Sequence, residues 1–207
     1  MEQTLPLPTF THTQLVFAAG AAAGALVVAL ALAAWRWFAR RHARQKLIAS
    51  ITDCGFENLR EVLLPDGQGG WLHFDFLLLT ARGVVVVDLR DVAGNIFGGD
   101  QMTEWTVMHR ARRYTFQNPQ SGLYDRLAAV RAIASDLPVE GLVLFTNRGR
   151  FPKGLPRYTR MLESLASEYP VLDRGAVAST LERWKPSWRK LVELSKPSKL
   201  ADPKPAV

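Results

Sequence analysis

A run of 21 residues without a charged side chain, residues 15–35, constrains this chain more than any other feature of its sequence. The run consists mostly of Ala, Val, Leu and Gly, and as an α-helix it would extend roughly 30 Å, about the thickness of the hydrocarbon core of a bilayer. A helix that packs on a soluble core carries a polar face, and this run has none. It therefore predicts a transmembrane helix over residues 15–38.

The distribution of basic residues sets the expected orientation of that helix. All 26 Lys and Arg residues lie at or after Arg36, and a basic cluster directly follows the run. A signal peptide carries its basic residues before the apolar segment, so a cleaved leader is the less favoured interpretation. Because positive charge stays cytoplasmic, we expect a single-pass protein of the cell membrane (the inner membrane of a bacterium). Residues 1–14 would lie outside and the C-terminal domain in the cytoplasm.

Two glycines four residues apart, Gly20 and Gly24, lie within the apolar run. Small residues at this spacing allow two transmembrane helices to approach closely. They predict a homodimer contact, against the alternative that an Ala-rich helix contains two glycines by chance.

The pattern after the helix predicts an α/β fold in which helices flank a mixed sheet. We expect a basic juxtamembrane helix over residues 39–56 and a folded domain over residues 57–194. The predicted strands are residues 57–64, 71–80, 84–89, 105–109, 114–117 and 139–146, and the predicted helices are residues 118–136, 158–168 and 176–191. Residues 94–100 are predicted to form a glycine-rich loop, and residues 195–207 a disordered tail.

The charge balance points to an anionic partner. With 26 Lys and Arg against 19 Asp and Glu, the net charge is +7, so DNA or RNA and an anionic lipid surface are both candidate partners. Residues 109–114 combine bases with an aromatic residue at a predicted hairpin tip, and they either contact phosphate or form an ordinary solvated turn. The single cysteine, Cys54, excludes an intrachain disulfide framework and a cysteine-only zinc site.

Two aspartates and an arginine are the candidate site residues. Alternation along residues 84–90 places Asp88 and Arg90 on one face of a strand, and Asp75 on the preceding strand lies opposite one of them, depending on register. Two carboxylates close together suit Mg²⁺, which takes oxygen ligands. The alternative is a partly buried Asp75–Arg90 ion pair. His73 shares a strand face with Asp75 and is either a ligand or an ordinary partly buried histidine.

An ordered series of residues extends this interpretation. It comprises His73-Phe74-Asp75, residues 82–87, Asp88-Leu89-Arg90, Gly94, Trp105 and Asn118-Pro119. In this order the series resembles the NERD (nuclease-related) domain. The resemblance implies a restriction-endonuclease-like fold of the PD-(D/E)xK type and metal-dependent phosphodiester cleavage. It also implies that Asp75 and Asp88 hold Mg²⁺ and that Arg90, which stands where the family has lysine, is the third catalytic residue.

Three functions follow as hypotheses. The first is a membrane-anchored, cytoplasmic NERD-domain protein that acts as a Mg²⁺-dependent nuclease on DNA or RNA, with a degenerate active site because Asp88 replaces a glutamate and Arg90 a lysine. The second is a catalytically inactive pseudonuclease that binds nucleic acid. The third is a membrane-tethered scaffold whose basic face binds anionic lipid.

Overall fold

The computed structural model of the protein describes residues 12–170 and 173–198, with the backbone alone for residues 12–23, 25 and 174. In chain order its elements are α1 (His12–Thr52), β1 (Glu57–Pro65), β2 (Trp71–Thr80), β3 (Gly83–Arg90), β4 (Gly94–Phe97), β5 (Glu104–His109), β6 (Arg112–Gln117), α2 (Pro119–Ile133), β7 (Val139–Phe145), β8 (Gly149–Arg150), β9 (Thr159–Met161), α3 (Leu162–Glu168), α4 (Arg174–Leu194) and β10 (Lys196–Pro197). The chain divides into two compact units, Met1–Ile48 and Ala49–Val207.

The apolar run is helical, as part of α1. Among the residues that the structure describes, however, no helix is long and apolar enough to cross a membrane. The predicted transmembrane helix over residues 15–38 is therefore not supported. Residues 1–11 lie outside the described residues, as do the surroundings of Gly20.

The core of the second unit is a six-stranded mixed sheet with the strand order β10-β1-β2-β3-β7-β9. β1, β2 and β3 form an antiparallel meander, and β7 pairs in parallel with both β3 and β9. Residues 84–87 are all buried, because other elements cover both faces of the sheet. Leu123 of α2 lies against Gly141 on one face, and Gly55 approaches Leu78 on the other.

The turn between β2 and β3 requires glycine. Gly83 has φ of +126°, and a Cβ at this position would lie 2.2 Å from the carbonyl oxygen of Pro138. No other residue adopts this backbone conformation so readily. The Thr80 hydroxyl closes the turn by donating to the Gly83 carbonyl at 3.0 Å. The predicted hairpin of β2 and β3 is confirmed.

A second sheet of four strands, in the order β6-β5-β4-β8, follows the end of β3. The predicted β5–β6 hairpin is confirmed, but the expectation of a loop over residues 94–100 is wrong for its first half, which forms β4. Gly94 has φ of +118° and its amide donates to Arg148, which turns the chain into the new sheet. Trp105 is fully buried and stacks on Phe145 at 6.0 Å, so the second sheet packs on the first.

The helices confirm the predicted mixed α/β class with flanking helices. Asn118 caps α2 by accepting a hydrogen bond from the Gln120 amide at 2.9 Å, and Pro119 occupies the first turn, as its sequence predicts. The predicted helix over residues 158–168 begins instead with β9. β10 pairs with β1 inside the segment predicted to be disordered, and residues 199–207 lie outside the described residues.

Candidate active site

The register of β2 and β3 brings the two predicted aspartates together. Phe76 pairs with Val87, so the next residues along, Asp75 and Asp88, lie opposite each other and project from the same face of the sheet. The structure thus decides between the two registers that the sequence left open, in favour of Asp88. Asp75 Oδ2 accepts a hydrogen bond from the Leu89 amide at 2.7 Å, which fixes its carboxylate at the end of β3.

Asp88 is buried and held by two guanidinium groups. Its side chain is 3% exposed, and its Oδ2 lies 2.9 Å from Arg90 Nη2 and 3.4 Å from Arg126 Nη1. Arg126 projects from α2 and also donates from Nε to the His73 carbonyl at 2.5 Å. A buried charge is costly unless it is paired, and these two cations compensate that cost. The alternative Asp75–Arg90 pair is absent from the described side chains, because Arg90 binds Asp88.

A second cluster lies beside Asp88. His73 Nε2 lies 3.0 Å from Glu61 Oε2, and His73 Nδ1 lies 3.4 Å from Asp75 Oδ1. One ligand atom from each of Glu61, His73 and Asp75 lies within 4.8 Å of the others, and all three side chains are partly exposed. Two carboxylates and an imidazole suit a divalent cation. Asp88 is not part of this group.

Glu61 reaches the cluster through an unusual backbone conformation. Its φ is +49° within β1, a region that costs a non-glycine residue about 1–2 kcal/mol. The ladder to β2 is interrupted there, since Arg60 and Val62 pair with β2 but Glu61 does not. The Glu61 carbonyl instead accepts from Ser198 at 2.8 Å, next to β10. Strained residues concentrate at functional sites, and this one supplies a carboxylate.

Comparison with known proteins identifies the family of the chain. A family model of the nuclease-related domain, NERD, matches residues 36–146, more than half of the 207 residues. The chain belongs to the NERD family. An uncharacterized protein of Bacillus anthracis is 22% identical to it over 112 residues, which cover 54% of this chain and 53% of the relative. The chain therefore spans about half the length of this curated relative. No solved structure matches the chain.

The family prediction made from the ordered residues is thus confirmed. The segment that matches NERD contains every polar residue of the site described above: Glu61, His73, Asp75, Asp88, Arg90 and Arg126. The mixed sheets are consistent with the restriction-endonuclease-like fold that the resemblance implies.

The electrostatics of this NERD site converge on Asp75. Its pKa is raised to about 6, chiefly because burial removes the carboxylate from water and then because the Asp88 charge lies opposite. The Leu89 amide, His73 and Arg90 act in the other direction and offset only part of the rise. A carboxylate whose ionised form is this unfavourable would gain from a nearby cation.

Two residues of the NERD site were not predicted from the sequence. The position of Glu61 could have been inferred by counting along the β1–β2 hairpin. Pro65 pairs with Trp71 across the turn. Glu61, four residues before Pro65, therefore lies opposite Asp75, four residues after Trp71. Arg126 has no such signal, because its approach to Asp88 depends on how α2 packs on the sheet.

Proposed function

We propose that this NERD-domain chain is a divalent-metal-dependent phosphodiesterase that cleaves nucleic acid. The observation that carries the proposal is the convergence of Glu61, His73 and Asp75 within 4.8 Å, beside an Asp88–Arg90 pair at 2.9 Å. Membership of the nuclease-related family supports the same reaction class. The reaction is inferred from the site.

The residues present fit a divalent cation, with Glu61, His73 and Asp75 as its holders. When bound, such an ion would supply a polarised phosphate oxygen and a more acidic water. The fit differs from the Asp75–Asp88 pair expected from the sequence, because two guanidinium groups neutralise Asp88. The imidazole makes Mn²⁺ a better candidate than Mg²⁺.

Each remaining side chain then has a defined task. Asp88 positions Arg90 by accepting a hydrogen bond from Nη2. Arg90 Nε is buried and has no hydrogen-bond partner among the described residues, so Asp88 does not satisfy the whole guanidinium. A planar guanidinium suits phosphate and stabilises its negative charge without accepting a proton. Arg126 links Asp88 to the His73 carbonyl and so holds β2, β3 and α2 in one arrangement.

The test is cleavage of labelled single-stranded DNA, duplex DNA and RNA by the full-length chain with Mn²⁺, Mg²⁺ or EDTA. We expect cleavage with Mn²⁺, and Asp75→Asn to lower its rate by about 100-fold or more, since it removes a ligand. Glu163→Gln, at an exposed carboxylate on α3, is the matched control and should keep the wild-type rate. Cleavage that persists in EDTA or in Asp75→Asn would contradict the proposal.

One observation favours the pseudonuclease as a second candidate. Asp88 Oδ2 is shared by Arg90 and Arg126, and arginine does not replace the family lysine as a proton acceptor. Arg90→Lys combined with Asp88→Glu restores the family's residue types. If the wild type is silent and the double variant cleaves with Mn²⁺, the wild-type chain is a pseudonuclease. If neither cleaves, no nuclease centre remains at this position.

A further inference from the structure

Four arginines on the second sheet are exposed and unpaired. They are Arg110, Arg112 and Arg113 of the β5–β6 hairpin and Arg150 of β8. Among the described side chains, none of the four makes an ion pair or a hydrogen bond. By contrast, five other arginines of the same unit bind carboxylates: Arg82, Arg90, Arg126, Arg148 and Arg160. The second sheet therefore concentrates positive charge that the protein itself does not neutralise.

Strand register places two of these arginines in one row. Asn95 pairs with Arg150 on one side and with Met108 on the other, and Met108 pairs with Arg113. Paired residues project from the same face, and neighbouring strands lie about 4.8 Å apart, so the row from Arg150 to Arg113 spans about 14 Å. The hairpin tip lies just beyond the row and carries Arg110, with φ of +55°, and Arg112. Arg112 pairs with His109, so its side chain leaves β6 on the opposite side from Arg113, at the exposed end of the strand.

The same face carries groups that contact nucleotides well. Phe97, Thr106 and Thr115 form the next row, and Lys153 Nζ lies 5.9 Å from the centre of the Phe97 ring. In the four strands of this sheet the sole acidic residue is Glu104, at the end away from the arginines. The opposite face is covered: its Ile96, Trp105 and Val107 belong to the core.

We propose that this surface, defined by Arg113 and Arg150 on the exposed face of the sheet and by Arg110 and Arg112 at the adjoining hairpin tip, and here named the arginine face, binds the phosphate backbone of nucleic acid. Guanidinium groups match phosphate in geometry and charge. A row of about 14 Å is long enough to contact more than one phosphate of the same strand. The partly exposed Phe97 ring offers a base a stacking surface.

The composition of the face favours nucleic acid over a lipid surface. A protein surface that lies in a membrane interface presents large apolar and aromatic side chains beside its bases. On the arginine face the large apolar side chains are the exposed Met108 and the partly exposed Phe97, and asparagine and threonine surround them. The face also begins directly after the candidate active site, because β4 starts four residues after Arg90. The idea that the face delivers a nucleic-acid strand to that site rests on the proposed function. The binding of nucleic acid to the face does not.

The experiment measures fluorescence anisotropy of a labelled 20-nucleotide DNA with the full-length chain in EDTA, over a series of salt concentrations. EDTA separates binding from cleavage. The variant Arg110→Gln, Arg112→Gln, Arg113→Gln should weaken binding about tenfold or more at low salt. It should also lower the slope of log affinity against log salt by about 2, since each lost phosphate contact on a single strand contributes about 0.7.

A matched control removes the same charge elsewhere. Arg183, Arg189 and Lys190 are exposed on α4, and their triple Gln variant should bind almost as the wild type does. Equal loss in both variants would mean that net charge alone drives binding, and absence of wild-type binding would equally overturn the proposal. The proposal would also be overturned if the arginine-face variant lost binding to vesicles with 30% anionic phospholipid but kept its binding to DNA. Thermal melts of all three proteins check that each is folded.

The binding and cleavage results separate the two proposals. DNA binding through the arginine face without metal-dependent cleavage supports this inference and contradicts the proposed function. Metal-dependent cleavage that the arginine-face variant leaves unchanged, together with unchanged DNA binding, supports the proposed function and contradicts this inference.

Discussion

Two clusters of charged side chains lie at opposite ends of β3, and both raise the pKa of an acidic group. At the turn before β3, Arg82 Nη2 donates to Glu140 at 2.6 Å and the Tyr169 hydroxyl donates to the same carboxylate oxygen at 2.9 Å. We call this group the turn cluster. At the other end, Asp75 and Asp88 face each other beside Arg90.

The causes of the two raised pKa values differ. Burial and the hydrogen bond to Glu140 raise the pKa of Tyr169 well above its ordinary value, so the phenol keeps its proton and its partner. Burial and the Asp88 charge raise the pKa of Asp75 to about 6, so this carboxylate ionises close to neutral pH. Its neighbouring donors and cations offset only part of that rise. The turn cluster is satisfied from within, and the site is not. This difference is the one we expect between a structural network and the proposed metal-binding site.

The largest effect is expected from breaking the buried pair at the site. Asp88→Ala removes the acceptor shared by Arg90 and Arg126, whose side chains are 38% and 19% exposed, so water compensates part of the lost pairing. We expect a loss of about 2–3 kcal/mol of unfolding free energy. Urea denaturation of the wild type and of the variant measures this loss of unfolding free energy. Glu182→Ala, which removes an exposed partner of Lys185 on α4, is the control and should cost less than about 1 kcal/mol. Similar losses in the two variants would mean that Asp88 has no special role in stability.

Sequence reasoning reached the strands of the site because their chemistry is local. Alternation in β3 and the Gly83 turn fixed which side chains share a face, and so Asp75, Asp88 and Arg90 were found together. What it missed depends on contacts between distant segments or on single backbone angles. β8, β9 and β10 are two or three residues long, too short for any periodicity. The approach of Arg126 to Asp88 depends on how α2 packs on the sheet, and the backbone of Glu61 has a positive φ that alternation along a strand does not predict.

The pH dependence of stability tests whether the pKa of Asp75 is raised in the folded state. The folded pKa of Asp75, about 6, lies above the ordinary value of 3.8, so the folded state binds more protons between pH 4 and 6 than the unfolded state does. Stability from this group is therefore greatest below pH 4 and is lost as pH rises through 6, by at most about 3 kcal/mol. Urea midpoints in EDTA, compared between wild type and Asp75→Asn, isolate this contribution. Identical pH profiles for the two proteins would contradict the raised pKa.

Metal binding provides a readout that is independent of cleavage. At about thirty times its dissociation constant, a cation that binds only the folded state adds about 2 kcal/mol of stability. We expect Mn²⁺ to raise the melting temperature of the wild type but not of Glu61→Gln, which loses a ligand of the cluster. Glu140→Gln in the turn cluster should respond as the wild type does. A shift retained in Glu61→Gln would place the ion elsewhere.

The smallest effect is expected at the turn cluster itself. Arg82 and Glu140 are 49% and 43% exposed, and ion pairs that solvent reaches this freely contribute less than about 1 kcal/mol. Glu140→Gln should therefore change the urea midpoint little, since the amide oxygen still accepts from the Tyr169 hydroxyl. The same substitution removes a negative charge beside the phenol and should lower the pKa of Tyr169, although burial continues to raise it. Ultraviolet difference titration of the phenolate follows that pKa. If Glu140→Gln left the pKa of Tyr169 unchanged but shifted Mn²⁺ binding, the two ends of β3 would be coupled, and the division into a structural and a functional cluster would be wrong.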